Sequence, residues 1–232
     1  MDVLEPSSAL PTGNSFEIDL ESRNAEIVAC RRCPRLVEWR EKIGQVKRKS
    51  FEDWIYWAKP VPVFGDPSAL RLIVGLAPAA HGANRTGQMF TGDRSGDWLY
   101  RALHKGGAAN MPRAESVDDG LRLSGVLITA VCHCAPPDNK PTTEEISNCS
   151  PFLKGVLASR PWKSILCLGG ISWGQVLRSL GEKPRPFGHL ATHLSASGVR
   201  LVGSYHPSQQ NTFTARLTEP MLDEAVRTFL SD

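Results

Sequence analysis

The sequence predicts a single α/β domain, a doubly wound, mostly parallel sheet of four strands flanked by helices. Three observations predict it. Short β-rich runs at 70–75, 126–131, 164–168 and 199–203 alternate with helical patterns at 95–105, 142–158, 172–180 and 218–230. The strand runs are nearly continuous in apolar residues, as in Leu72-Ile73-Val74 and Ile165-Leu166-Cys167-Leu168, which marks strands covered on both faces. The chain has 232 residues, 41% of them hydrophobic. A chain of that size buries roughly 70% of its unfolded surface, and it holds no apolar run near the ~18 residues of a membrane span.

Taken in order, residues 1–21 mix Pro6, Pro11, Gly13, serines and acids without periodicity. Residues 1–26 carry six acids against Arg23, which suggests an acidic flexible tail ahead of a domain spanning 27–232. Asp2 and Glu5 stand where a signal peptide needs positive charge, so a cytoplasmic location is expected. Ile27, Leu36, Val37 and Trp39 suggest a helix over 21–42, interrupted near Pro34. Residues 51–67 read as irregular. Further on, Trp98, Leu99, Ala102 and Leu103 share one helical stripe, as do Met221, Leu222, Ala225, Val226 and Phe229. Thr142-Thr143-Glu144-Glu145 is a capping box at a helix start.

The net charge of +3 hides an asymmetry, because the acidic first 26 residues leave the rest of the chain at +8. Residues 31–50 alone hold eight Lys and Arg against Glu38 and Glu41. Such a body suits a polyanion, whose condensed counterions it would release, or it is an ordinary solvated helix face. Four loops leave the carboxyl ends of the strands, at 76–94, 132–141, 169–172 and 204–216. Parallel sheets bind ligands at that edge, and three of these loops are long and polar. They hold Asn84, Arg85, Asp93, Asn139, His206, Gln209, Gln210 and Asn211.

Of the six cysteines, Cys167 lies mid-strand as a core residue and Cys132 lies within the expected sheet. Cys30, Cys33, Cys134 and Cys149 remain, a Cys-x2-Cys pair plus two spread thiols. Four thiolates suffice for a structural zinc or for an iron–sulfur cluster; the wide second pair leans toward a cluster, and four unrelated thiols are the bland alternative.

The loops also carry a resemblance. Gly75-Leu-Ala-Pro-Ala-Ala-His-Gly-Ala-Asn-Arg-Thr-Gly, followed by Phe90-Thr-Gly-Asp93, resembles the first active-site motif of family 5 (type B) uracil-DNA glycosylases. Cys134-Ala-Pro-Pro-Asp-Asn-Lys-Pro-Thr142 and Ser204-Tyr-His-Pro-Ser-Gln-Gln-Asn-Thr212 resemble later motifs, and Cys30-Arg-Arg-Cys-Pro resembles the segment giving two ligands of that family's [4Fe–4S] cluster. The likeness runs from about residue 27 to the C-terminus. It implies a monofunctional enzyme that flips uracil, hypoxanthine or xanthine out of double-stranded DNA and hydrolyses the N-glycosidic bond, leaving an abasic site. It implies that Cys30, Cys33, Cys134 and Cys149 hold a structural cluster, that Phe90 stacks on the flipped base beside Ala77 and Asn84, and that Asp93, Asn139 and His206 are catalytic. Arg85 and Asn84 would contact phosphate or stabilise the loop, Gln209, Gln210 and Asn211 would contact DNA where the flipped base leaves the stack, and a monomer is the default expectation.

The chemistry fits these residue types. Base extrusion needs an aromatic platform and something to fill the vacated stack. His206 would donate a hydrogen bond to the base oxygen that collects negative charge. Leu76-Ala77-Pro78 offers no polar group to handle water, so that task falls to Asp93 or Asn139; Asp93 is also suited to cap the helix after it. Ile128-Thr129-Ala130 has no Asn to read a uracil edge, and broad base tolerance is expected. Two competing readings are a metal-stapled nucleic-acid-binding module without catalysis and an iron–sulfur redox protein. A nucleotide-binding Rossmann enzyme is disfavoured, since neither GxGxxG nor a phosphate-loop motif appears. A zinc deaminase is disfavoured by the absence of its His-x-Glu and Pro-Cys-x-x-Cys pair.

Overall fold

The computed structural model describes residues 15–231, with side chains from residue 19. Two helices open it, α1 (Ser15–Ala29) and α2 (Pro34–Val46), broken where Pro34 takes the first helical position. The strands are β1 (Phe64–Gly65), β2 (Arg71–Gly75), β3 (Val126–Ala130), β4 (Ser164–Leu168), β5 (Thr192–Leu194) and β6 (Arg200–Ser204). The remaining helices are α3 (Ala83–Thr86), α4 (Arg94–Lys105), α5 (Thr143–Ala158), α6 (Gly170–Ser179), α7 (Gln209–Phe213) and α8 (Glu219–Leu230).

One sheet runs in the order β1-β3-β2-β4-β6-β5. Its four inner strands are parallel, as expected, and β1 and β5 add short antiparallel edges. Alternation along the strands sorts the core into two layers. Ile128, Ile73, Leu166 and Val202 lie in one cross-strand row and join the core under α4 and α8; Leu127, Leu72, Ile165 and Leu201, one residue back, join the core under α5, α6 and α1. The capping box of α5 is formed: Thr142 Oγ1 accepts from the Glu145 amide at 3.2 Å and Glu145 Oε2 from the Thr142 amide at 2.7 Å. After β2 the chain moves to β3 on one side, then crosses back to β4 on the other. The strand order therefore reverses between β2 and β4, which opens a crevice at their carboxyl ends.

The expected tail is modified. Residues 1–14 lie outside the described residues, but the boundary expected at residue 26 falls inside α1. That helix buries Leu20 and Ile27, seven positions apart on one face, and Asn24 between them makes two hydrogen bonds to the Val63 backbone, at 2.9 and 3.1 Å. Two apolar anchors in an acidic stretch are too sparse a pattern to read as a helix.

Candidate active site

The crevice is built first from the 76–93 loop. Phe90 has a left-handed backbone, φ 56°, and its ring lies across the end of β2. A Cβ on Gly75 would stand 3.0 Å from two atoms of that ring, so a side chain there would push the ring out by a few tenths of an ångström. Behind it, the Phe90 carbonyl occupies the space that a Cβ on Gly96 would need, and the Tyr100 hydroxyl donates to the Met89 carbonyl at 2.5 Å. The platform is fixed by packing on α4 before any ligand arrives.

His206 faces Phe90 from beyond β6. The ring centroids are 6.0 Å apart and inclined by 30°. Burial lowers the imidazole pKa to about 4, so the ring is neutral at physiological pH. Asp93 caps α4, its Oδ1 accepting from the Gly96 amide at 2.9 Å. Its other oxygen faces Gly82, where a Cβ would come within 2.8 Å of both Asp93 Cβ and Cγ. Burial raises the pKa of this carboxyl, against the backbone hydrogen bonds of Gly96 and Ser95, which lower it.

The loop is braced from outside by residues 51–58. Tyr56 Oη meets His81 Nδ1 at 3.0 Å, and the amides of Trp57 and Ala58 donate to the carbonyls of Arg85 and Asn84 at 2.9 and 3.0 Å. The Arg85 guanidinium lies between Phe51 and Trp54, 4.0 Å from each ring centroid, and donates to the His81 and Gly92 carbonyls.

The cysteines gather at the other side of β3. Cys30, Cys33, Cys132, Cys134 and Cys149 line one pocket, all as free thiols; Cys132 is fully buried and the other four are half-buried. Three donors point at sulfur: Arg40 Nη1 at Cys134 Sγ (2.9 Å), Asn148 Nδ2 at Cys33 Sγ (3.7 Å) and the His133 amide at Cys149 Sγ (3.4 Å). Burial pushes the Cys134 thiol up to about 11, with Arg40 opposing. Cys149 is pulled down, chiefly by a hydrogen bond from the Cys132 thiol. Among the described residues, no three His, Cys, Asp or Glu side chains converge closely enough to hold a single metal ion. A ring of four half-buried thiols with N–H donors aimed at sulfur is nonetheless the donor set that a cluster uses.

Residues 62–230 match the Uracil DNA glycosylase superfamily. The chain belongs to that superfamily. It is 53% identical over 210 residues to a Type-5 uracil-DNA glycosylase of Mycobacterium leprae, covering 88% of this chain and 91% of that protein. It is 46% identical over 212 residues to one of Thermus thermophilus, covering 90% and 96%. A Type-4 uracil-DNA glycosylase of Pyrobaculum aerophilum is 28% identical over 159 residues, 66% of this chain and 74% of that protein. Within the superfamily the chain groups with the type-5 proteins.

Of the residues expected to serve a glycosylase, the structure brings Phe90, Asp93 and His206 to one edge of the sheet, with Ala77 half-buried just beyond β2. Asn139 is exposed on a single 3-10 turn (Pro137–Asn139), where it and Asp138 both have left-handed backbones. Asn84 is wholly buried, donating to the Arg40 and Ala80 carbonyls at 3.3 and 3.4 Å, which fits the loop-stabilising role expected of it, while its Oδ1 has no hydrogen-bond partner among the described residues. Arg85, 3% exposed, takes the loop-stabilising of its two expected roles: its cation is enclosed by Phe51 and Trp54 and tied to carbonyls of its own loop. Gln209 and Gln210 are exposed on α7, whereas Asn211 holds α7 to the His206 carbonyl at 2.8 Å. Sequence reasoning missed Phe213, which ends α7 at 66% exposure under the Arg94 guanidinium, 4.7 Å from the ring centroid. An apolar ring in a run of polar residues was the available signal. It also missed Gly82 and Arg40, whose roles depend on contacts distant in sequence.

Proposed function

We propose that this chain is a monofunctional DNA glycosylase that hydrolyses the N-glycosidic bond of uracil and other deaminated bases, hypoxanthine and xanthine included, in double-stranded DNA. The observation that carries this reading is the pairing of Phe90 and His206 across the crevice with Asp93 seated in the same loop. A base flipped from the stack meets an aromatic face already fixed in place on Gly75, so stacking stabilises it without reordering the loop. Bond breaking collects negative charge on the base and positive charge on the sugar. The neutral His206 ring donates a hydrogen bond through its one N–H toward the base oxygen. Asp93 supplies the anion for the sugar or orients water; Asn139 is the second candidate for the water. Exposed Gln209, Gln210 and Phe213 on α7, directly after His206, suit the segment that fills the vacated stack.

Cys30, Cys33, Cys134 and Cys149 would hold a [4Fe–4S] cluster, which staples α1 and α2 to the loop after β3 and to α5 and supplies no step of the hydrolysis. Cysteines kept reduced, as cluster ligands are, suit a reducing compartment, the cytoplasm. No helix among the described residues is long and apolar enough to cross a membrane.

The test is an end-labelled duplex carrying uracil, hypoxanthine or only normal bases, with and without alkali and EDTA. Breaks at the altered base that need alkali and survive EDTA support the reading. A folded protein that cleaves none of them overturns it.

A further inference from the structure

The basic stretch 31–50 is not used as one surface. Arg31 pairs with Glu41 at 2.5 Å, and Arg35 with Glu145 at 2.7 Å, at the base of α5. Arg40 is different, since its side chain is only 2% exposed. A guanidinium cannot shed its charge, and burying it without an anion is strongly unfavourable. The carboxylate within reach is Glu41, at 3.9 Å and already bonded to Arg31. Arg40 Nη1 instead donates to Cys134 Sγ at 2.9 Å, Nη1 and Nη2 both reach the Cys30 carbonyl at 3.4 Å, and Nε has no hydrogen-bond partner among the described residues. The buried cation therefore faces two of the proposed ligands, one by its sulfur and one by its backbone.

The same residue reaches the other way. Its carbonyl accepts from Asn84 Nδ2 at 3.3 Å, in the turn that follows Gly82 and precedes Phe90 and Asp93. We propose that Arg40 is the positioning residue that balances the charge of the cysteine-bound group and, through its backbone, anchors the catalytic loop to it. Four thiolates around a [4Fe–4S]2+ core leave two negative charges; Arg40 is the buried guanidinium at sulfur that compensates them, with the exposed Arg32 beside Cys149 as a second cation. This inference rests on the cluster assignment above.

The experiment separates the two. Iron and acid-labile sulfide are measured in the full-length protein purified without oxygen; absence of both defeats the cluster assignment itself. With the cluster present, Arg40→Gln and Arg40→Lys are compared for decay of the visible iron–sulfur absorption under a ferrous chelator, for reduction potential, and for single-turnover excision of uracil. Arg40→Gln should lose the cluster at least tenfold faster and have a more negative potential, because the added electron has lost a buried cation at sulfur. Arg40→Lys keeps the charge and should lie between it and the parent, which guards against an Arg40→Gln that does not fold. Asn84→Ala should slow excision while leaving cluster decay and potential at parental values. Parental decay and potential in both Arg40 variants would overturn the proposal, as would an Asn84→Ala protein with an altered cluster and full activity.

Discussion

Gly82 makes the role of Asp93 testable without touching the carboxylate. In Gly82→Ala the new Cβ would stand 2.8 Å from Asp93 Cβ and Cγ, where carbon atoms ordinarily settle at about 3.5–4.0 Å. The carboxylate must therefore retreat by about 1 Å. A displacement of that size at a reacting group costs about 10²-fold in rate, or ~2.7 kcal/mol of transition-state stabilisation. Asp93→Asn serves as the companion: its side-chain oxygen still accepts from the Gly96 amide, so the cap of α4 is kept while the charge is removed. The assay is single-turnover excision from a uracil duplex at saturating enzyme, with thermal melting alongside. Each variant should fall about 10²-fold in rate. Melting should change little in Asp93→Asn, whereas Gly82→Ala also disturbs the cap of α4 and should lose about 0.5–2 kcal/mol of stability. The double variant should be no more than a few-fold slower than Asp93→Asn alone, because a displaced amide has nothing further to lose. A Gly82→Ala protein at the parental rate, or losses that multiply in the double variant, would show that the position of this carboxylate does not matter to the reaction.

Other outcomes follow from the same geometry. His206→Ala should slow excision by about 10²–10³-fold, the usual loss for one donor to a developing oxyanion, as single-turnover rates will show. Because burial holds His206 at about pKa 4 against 6.5 when unfolded, the unfolded chain takes up a proton that the folded one refuses; stability then falls as pH drops from about 6.5 toward 4, by about 1–2 kcal/mol at pH 5, and denaturant melts of parent and His206→Asn should converge on acidification. Asp93 has the opposite sign: its raised pKa means that folding is weakened as pH rises through the window above the ordinary carboxylate value, while the acid limb of excision is lost in Asp93→Asn. Phe90→Ala removes the stacking face and should weaken binding of duplex carrying a flipped base by about 1–3 kcal/mol, read from anisotropy. Thr142→Ala breaks the capping box at the start of α5 and should lower stability by about 0.5–2 kcal/mol in denaturant melts.

The legible parts of this protein are those whose information is local. The apolar strands, the capping box and the stripes of α4 and α8 depend on residues within a turn or two of one another, and each lies within two residues of its expected bounds. β1 and β5, two and three residues long, pair at the sheet edges through backbone alone, so no side-chain pattern announced them. For Asn84 and Arg85 the sequence leaves phosphate contact and loop support both open, because polar side chains in a long loop ordinarily face solvent. The 51–58 segment covers that loop with Phe51 and Trp54, and nothing in the sequence of residues 76–93 says so. The placement of Asp93 and His206 follows from the carboxyl edge of a parallel sheet, whose loops can be counted from the strands, whereas Phe90 follows from the resemblance of its motif, and the roles of all three are proposed. Gly82 was invisible for the reverse reason: its meaning is the absence of a side chain against a carboxylate eleven residues away.

The end of β3 decides how selective the site is. Thr129 is fully buried with its hydroxyl toward His133 Nε2 at 3.4 Å, and Ala130, also buried, ends the strand. On the other side, β2 ends at Gly75, which lies under the Phe90 ring. Neither strand end offers a side-chain donor–acceptor pair to the edge of a base. Strong rejection of a wrong base requires buried polar groups that it leaves unpaired, and such groups give 10⁴–10⁵-fold discrimination; a pocket relying on shape and stacking gives about 10–200-fold. The ratio of kcat/KM for uracil over hypoxanthine in matched duplexes should therefore stay below about 10², and introducing Asn at Ala130 should widen it by adding a reader. A parental ratio near 10⁴ would mean that the edge is read by a group elsewhere, with the exposed Asn139 loop as the first place to look.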